Sequence, residues 1–303
     1  MCVHPSLRWA PVLLVWAFIL WIYCTYAIIF CLLIVESISV KLIFLIVFHI
    51  LFFLMLWSNV QTVCTPIRRP PEHFILPLQI RAELCAATNR LQMNAILERF
   101  VSDQKIVNVS RFNNGDVRYC THCFCIKPYR CHHSSTLGHC VLKFDHHCPW
   151  VNSCINFNNY KFFVLFICYV FALCLFGFFT ILPYFIAIWR TDEGSKPHIV
   201  WRLLVSLLFL VTGPLGFSTG GLFIYHLFLI SNNLTTLESI GLPDSKGFDL
   251  GIRRNFGEVF GTDKLKWLLP VFSSPGDGIN YPQKPNQTAE GGASDMNFLS
   301  ISI

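Results

Sequence analysis

The stretch FFVLFICYVFALCLFGFFTILPYFIAIW, Phe162–Trp189, decides the architecture, because its 28 residues contain no Asp, Glu, Lys or Arg. A helix needs about 20 apolar residues to cross the hydrocarbon core of a bilayer. The apolar side chains run on without the i, i+3, i+4 spacing of a helix that buries one face in a soluble core. Three further blocks share this character: Trp9–Val35, Leu42–Val63 with a lone His49, and Leu203–Ile230. A cleaved signal peptide is a poor description of the first, whose 27 apolar residues outrun a signal's apolar region and lack a small-x-small cleavage site.

Composition points the same way. The 303 residues are 54% hydrophobic and only 13% charged, with 29 Phe, whereas soluble domains carry about 25% charged residues. The reading is therefore an α-helical integral membrane protein with four transmembrane helices.

Lys and Arg orient it. Residues 64–161 hold 12 of the 23 basic residues, 231–303 hold six and the N-terminus holds Arg8, against four in the short loops 36–41 and 190–202. This excess places both termini and the long middle loop in the cytosol. The sequons at Asn108, Asn233 and Asn286 then stand on the side where glycosylation does not occur and read as chance matches.

The expected organisation follows. Residues 1–63 are an N-terminal tail and first transmembrane pair, and 64–119 a cytosolic linker with a helical stretch around Ile80–Phe100. Residues 120–160 are a cysteine-rich module and 161–230 the second transmembrane pair. Residues 231–281 form a cytosolic C-terminal segment, and 282–303, rich in polar residues, a disordered tail.

The cysteine-rich module carries the chemistry. Seven of the 14 Cys and six of the 11 His fall within Cys120–Cys154. A reduced, cytosolic segment of this kind reads as metal-binding rather than disulfide-bonded. Cys120, Cys123, His133 and Cys140 form a Cys3His set suited to zinc. Shifting that template by 14 residues brings its last two positions onto His147 and Cys154, but its first two onto Ser134 and Leu137. One zinc site is thus complete and its twin is degraded.

Cys148 belongs to neither register. It follows Asp145, His146 and His147. A thiol needs a neighbouring base to be a good nucleophile at neutral pH. His146 can take its proton and Asp145 can orient the imidazole; the alternative is that both merely support a zinc ligand.

Tyr119-Cys-Thr-His-Cys, Lys127-Pro-Tyr-Arg130, His132-His133 and Asp145-His-His-Cys-Pro-Trp-Val-Asn resemble the cysteine-rich domain of the DHHC protein S-acyltransferases. Thr235-Thr236-Leu237-Glu238 looks like that family's Thr-Thr-x-Glu motif, and Asn255 like its C-terminal asparagine. Trp267–Ser274 resembles the Trp-Leu-Leu-Pro-x-Phe-Ser-Ser segment of an animal subgroup. The resemblance implies a palmitoyltransferase that takes a fatty acyl group from acyl-CoA onto Cys148, with His146 as base and Asp145 as orienter. It then passes the group to cysteines of membrane-associated proteins, and no nucleic acid is involved. It also implies that Thr236 and Asn255 pin the C-terminal segment, and that Trp150, Phe163 and Phe166 line an acyl pocket. For those three aromatics, ordinary packing within the spans is the competing reading. Golgi, endoplasmic reticulum and plasma membrane all fit as its location.

The chain departs from the family where Ser134 and Leu137 replace Cys and Asn156 replaces Gly. A member with weak or no turnover is therefore the alternative reading. A membrane scaffold or transporter with a structural zinc fits less well, since the spans hold no ionisable residues besides histidines.

Overall fold

The computed structural model describes residues 8–190, 197–241 and 247–283. Among these described residues are four helices long and apolar enough to cross a membrane. The first runs over Ala10–Ile34, α-helical as α1 (Ala10–Tyr23) and wider-wound over Cys24–Ile34. The others are α2 (Ile38–Cys64), α5 (Tyr160–Arg190) and α6 (Ile199–Ser231). Each extends the apolar block read from the sequence by a few residues at one or both ends, apart from the first, which begins and ends one residue inside it. Helices continue into the interface, where hydropathy no longer marks them.

The bundle packs through aromatic and small residues. At one end Tyr26, Phe30, Phe48, Ile181, Val205 and Leu208 form a closed core. At the other, Met55, Tyr160, Phe163, Val164 and Ile230 surround Cys148 and meet Val259 and Phe260 from the C-terminal segment. Gly220 lets α6 approach α5, since a Cβ there would stand 2.7 Å from the Phe171 ring. Pro183 and Pro214 lie inside α5 and α6, a position that membrane helices tolerate.

Between α2 and α5 the chain forms α3 (Leu78–Ala86) and α4 (Arg90–Asp103), then three short antiparallel hairpins. The single helical stretch expected around Ile80–Phe100 is broken at Ala87–Asn89. There the Asn89 side chain accepts from the Gln92 N–H at 2.9 Å, and Thr88 bonds the Gln92 side chain. This is a helix start that ends the preceding helix.

The hairpins pair β1 (Tyr119–Cys120) with β2 (Cys125–Ile126), β3 (His132–Ser134) with β4 (His139–Val141), and β5 (His146–Cys148) with β6 (Ser153–Ile155). His133 stands opposite Cys140, and His147 opposite Cys154. The 14-residue duplication is therefore a repeated hairpin. After α6 come the short α7 (Thr236–Ser239) and α8 (Ile252–Phe260). Of the tail expected over 282–303, residues 284–303 lie outside the described residues.

Candidate active site and metal centre

The first register closes into a cluster that could hold a metal ion. The ligand atoms of Cys120, Cys123, His133 and Cys140 all lie within 4.8 Å of one another. His133 Nδ1 is 3.5 Å from Cys120 Sγ and 3.3 Å from Cys123 Sγ. A tetrahedron with Zn–S of about 2.3 Å and Zn–N of about 2.0 Å has an S···N edge of about 3.5 Å. Three thiols and one imidazole at this spacing fit zinc.

The second register is joined without a full ligand set. Ser134 Oγ is 3.2 Å from Cys154 Sγ, which is 3.5 Å from His147 Nδ1. Ser134 Oγ also accepts from the Leu137 N–H at 3.3 Å. Cys125 and Cys131 do not fill the gap; they pack beside Cys120 and Cys140 at the first site.

The β5 strand that carries His147 also carries His146 and Cys148. His146 Nδ1 lies 2.6 Å from Asp145 Oδ2. Burial opposes a charge on His146, but hydrogen bonds to Asp145 and to Cys148 outweigh it and hold its pKa up to about 9. Burial likewise works against the Asp145 carboxylate, yet the His146 hydrogen bond and charge keep it below its ordinary value. The arrangement stabilises the imidazolium that forms when His146 takes a proton from the neighbouring thiol, with the carboxylate balancing its charge.

Asp145 is held from the far side by the C-terminal segment. The Thr236 N–H reaches Oδ1 at 2.9 Å and the Thr236 hydroxyl donates to Oδ2 at 2.7 Å. Thr236 is placed by a capping box in which Thr235 Oγ1 accepts from the Glu238 N–H and the Glu238 carboxylate accepts from the Thr235 N–H. Glu238 in turn receives two bonds from Arg130, at 2.8 and 2.6 Å, with both side chains shut away from solvent. Arg130 also donates to Asn233 Oδ1 and to the Asn233 carbonyl, both at 2.9 Å, and lies over the Phe248 and Tyr281 rings, which pack on each other. Asn255 donates to the Ser231 carbonyl at 2.7 Å and accepts from the Leu250 N–H at 2.9 Å, tying α8 to the end of α6.

Cys148 opens on a cavity of about 890 Å³ that runs between the spans. Its wall is almost wholly apolar and includes Trp150, Phe163 and Phe166 along with Phe18, Phe52 and Leu173. Such a space has the size and the apolar lining to admit a long hydrocarbon chain. Phe163 also packs edge-on to the His146 ring at 5.2 Å between centroids.

Several residues of this architecture escape a reading of the sequence. His226 lies in the wall, 6.1 Å from the His146 ring between centroids, and bonds the Tyr160 hydroxyl at 3.0 Å. Arg130 and Glu238 each stand inside a recognisable motif, but nothing in the sequence joins them across 108 positions.

Comparison with known proteins bears on the same residues. The family model for DHHC palmitoyltransferase matches residues 113–242. The chain is 39% identical to palmitoyltransferase ZDHHC15 of Xenopus laevis, covering 93% of this chain and 84% of that protein. It is 39% identical to palmitoyltransferase ZDHHC2 of Danio rerio, over 91% and 77% of the two chains. Against palmitoyltransferase ZDHHC20-A of Danio rerio the identity is 38%, over 93% and 80%.

Proposed function

This chain belongs to the DHHC palmitoyltransferase family, and we propose that it performs protein S-acylation through a Cys148 acyl-enzyme. One observation supports the assignment of residues: Asp145 is hydrogen-bonded to His146, and Cys148, two residues further on the same strand, stands at an apolar cavity of acyl-chain size.

In the first step His146 takes the Cys148 proton, and the thiolate attacks the thioester carbonyl of a fatty acyl-CoA. A bond forms between Cys148 Sγ and the carbonyl carbon. The tetrahedral intermediate then collapses by breaking the bond to the CoA sulfur, and the departing thiolate receives the proton held by His146. In the second step a cysteine thiol of a membrane-associated protein gives its proton to His146 and attacks the Cys148 thioester. Cys148 leaves as the thiolate and is reprotonated. Asp145 holds the imidazole in orientation and stabilises its charged form throughout.

Cys120, Cys123, His133 and Cys140 would hold zinc, which supplies folding energy to the hairpins rather than a step of the reaction. The distribution of Lys and Arg supports a cytosolic site with both termini on the same side. Nothing favours the reading of reduced turnover, because Asp145 is held by Thr236 and Glu238 is held by Arg130, both outside the degraded register.

The deciding experiment incubates purified protein with labelled palmitoyl-CoA and looks for a hydroxylamine-sensitive adduct. Wild type should label on Cys148. Cys148→Ser should lose the label and keep its zinc. Loss of zinc and of fold in that variant would make Cys148 a ligand and sink its role as the acyl carrier.

A further inference from the structure

The stretch after α8 carries a surface that the reaction does not use. Leu265 is 87% exposed, Leu268 65%, Phe272 51% and Leu269 40%, and Ile252 on α8 is exposed too. Arg253 and Arg254 follow Ile252 and Lys264 and Lys266 flank Leu265, and all four are exposed. A group of large apolar residues so close together is unusual on a water-facing loop.

The height of this stretch against the bundle is set by hydrogen bonds to α5. The Tyr169 hydroxyl donates to the Leu268 carbonyl. Lys161 Nζ donates to the carbonyls of Lys266 at 2.7 Å and Val271 at 2.9 Å, and to Ser273 Oγ at 2.7 Å. Lys161 and Arg190, the charges that flank α5, are about 43 Å apart along the helix at 1.5 Å per residue. A hydrocarbon core of about 30 Å centred between them leaves about 6–7 Å of interface at each end. Tyr169 is about 12 Å along from Lys161 on the same scale. The Leu268 carbonyl therefore sits just inside the hydrocarbon edge.

Irregular backbone at that depth needs protein partners for its carbonyls, and Lys161 and Tyr169 supply them. Trp267 turns inward, donating from Nε1 to the Gly261 carbonyl at 2.9 Å and packing on Phe256 and Phe260. Leu265 and Leu268 turn away from the protein. Asp263 pairs with Lys266 at 3.3 Å on the surface, and the four basic residues leave the patch positive.

We propose that Lys264–Phe272 is an interfacial wedge whose leucines and Phe272 lie among the upper acyl chains while Lys264, Lys266, Arg253 and Arg254 bind anionic phospholipid headgroups. The proposal rests on the reading that the acyl-transfer site faces the cytosol, whose leaflet carries the anionic lipid. Two facts select lipid as the occupant: the stretch is hydrogen-bonded to the span α5 through Lys161 and Tyr169, and its charge complements anionic headgroups. The wedge steadies α8, and through the Asn255 bond to Ser231 it steadies the chain that leads to Thr236 and Asp145.

The test places the full chain in phosphatidylcholine nanodiscs doped with phosphatidylserine or phosphatidylcholine that bears a diazirine near its headgroup, and maps adducts by peptide mass spectrometry. Peptides covering 264–272 should carry adducts, more from the phosphatidylserine probe. Lys264→Gln combined with Lys266→Gln should lower the phosphatidylserine adducts about tenfold and leave the phosphatidylcholine adducts unchanged. Labelling of the α5 and α6 peptides without 264–272 would overturn the wedge, as would a cross-link from this stretch to a second copy of the chain. Equal labelling by both probes, indifferent to the lysine changes, would overturn the anionic preference. Self-acylation measured on the same discs keeps the two readings apart: adducts at 264–272 on a chain that never labels Cys148 leave the wedge standing and sink the acyl-transfer assignment.

Discussion

Thr236 and Asp145, 91 positions apart, are joined twice, by the Thr236 N–H at 2.9 Å and its hydroxyl at 2.7 Å. The carboxylate that orients His146 is thus itself oriented by a residue beyond the last span. Thr236→Val keeps the backbone bond and the shape but removes the hydroxyl donor. A hydrogen bond to a charged group contributes about 1.5–3 kcal/mol, so Cys148 acylation should slow by about 10- to 100-fold, with Thr236→Ser close to wild type. Single-turnover labelling at saturating palmitoyl-CoA measures this, and an unchanged rate in the valine variant would remove Thr236 from the site.

Arg130 and Glu238 tie the cysteine-rich module to the C-terminal segment by a pair with no exposed side-chain surface to speak of. Removing one partner of a buried pair costs about 3–5 kcal/mol, because the other charge stays buried and alone. Arg130→Met should therefore lower the midpoint of thermal unfolding strongly. Arg130→Lys should fall between, since a lysine cannot make the two-pronged contact or lay a planar guanidinium over Phe248 and Tyr281. A midpoint in Arg130→Met equal to that of wild type would show that the pair does not hold the two parts together.

Lys143 and His146 give opposite pH dependences. Burial, helped by the Arg130 charge and resisted by Glu238, Glu258 and Asp145, brings Lys143 down from 10.5 to about 7. Between those values the unfolded chain binds more protons than the folded one, so this contribution rises with pH across about 7–10.5, by up to about 1.4 kcal/mol per unit. His146 runs the other way: raised from 6.5 to about 9, its contribution is full below 6.5 and lost as pH rises through 9. In wild type the two offset each other between pH 7 and 9. Lys143→Met should be the more stable form near pH 6 and should lose stability with rising pH, relative to wild type. Denaturant unfolding across this range checks it, and parallel profiles for the two proteins would refute the assignment to Lys143.

What could be read in advance was whatever obeys a local rule. Lipid requires long runs of apolar residues, so all four spans were legible from blocks such as Phe162–Trp189. The metal template was legible because a hairpin fixes its spacing, His133 opposite Cys140 and His147 opposite Cys154. The break at Asn89 was less so, because a side-chain cap competes with helix continuation by only about 1 kcal/mol. Lys161, Tyr160 and His226 gave no signal, since each finds its partner only after helices and C-terminal segment have packed. Arg130 and Glu238 were legible as motif letters and illegible as a pair.

The degraded register supplies the last prediction. Its surviving members touch, with Cys154 Sγ 3.5 Å from His147 Nδ1 and 3.2 Å from the Ser134 hydroxyl. These contacts lead to the expectation that the β5–β6 hairpin is closed by the thiol and imidazole with the Ser134 hydroxyl, in place of an ion. Purified protein should contain close to one zinc per chain, held by Cys120, Cys123, His133 and Cys140. Ser134→Cys with Leu137→Cys together should raise this to two, because Ser134 already stands beside Cys154 and donates the geometry that a thiolate needs. Neither change alone should do so, since three ligands hold a structural zinc poorly. Structural zinc contributes on the order of 10 kcal/mol of binding energy, so the double variant should unfold at a higher temperature, and chelators should remove the gain. Acylation of Cys148 should quicken as the strand that carries it stiffens. Metal analysis of wild type is the sharpest check: two zincs per chain would mean that the second register binds metal as it stands, and the hydroxyl-and-thiol closure would be wrong.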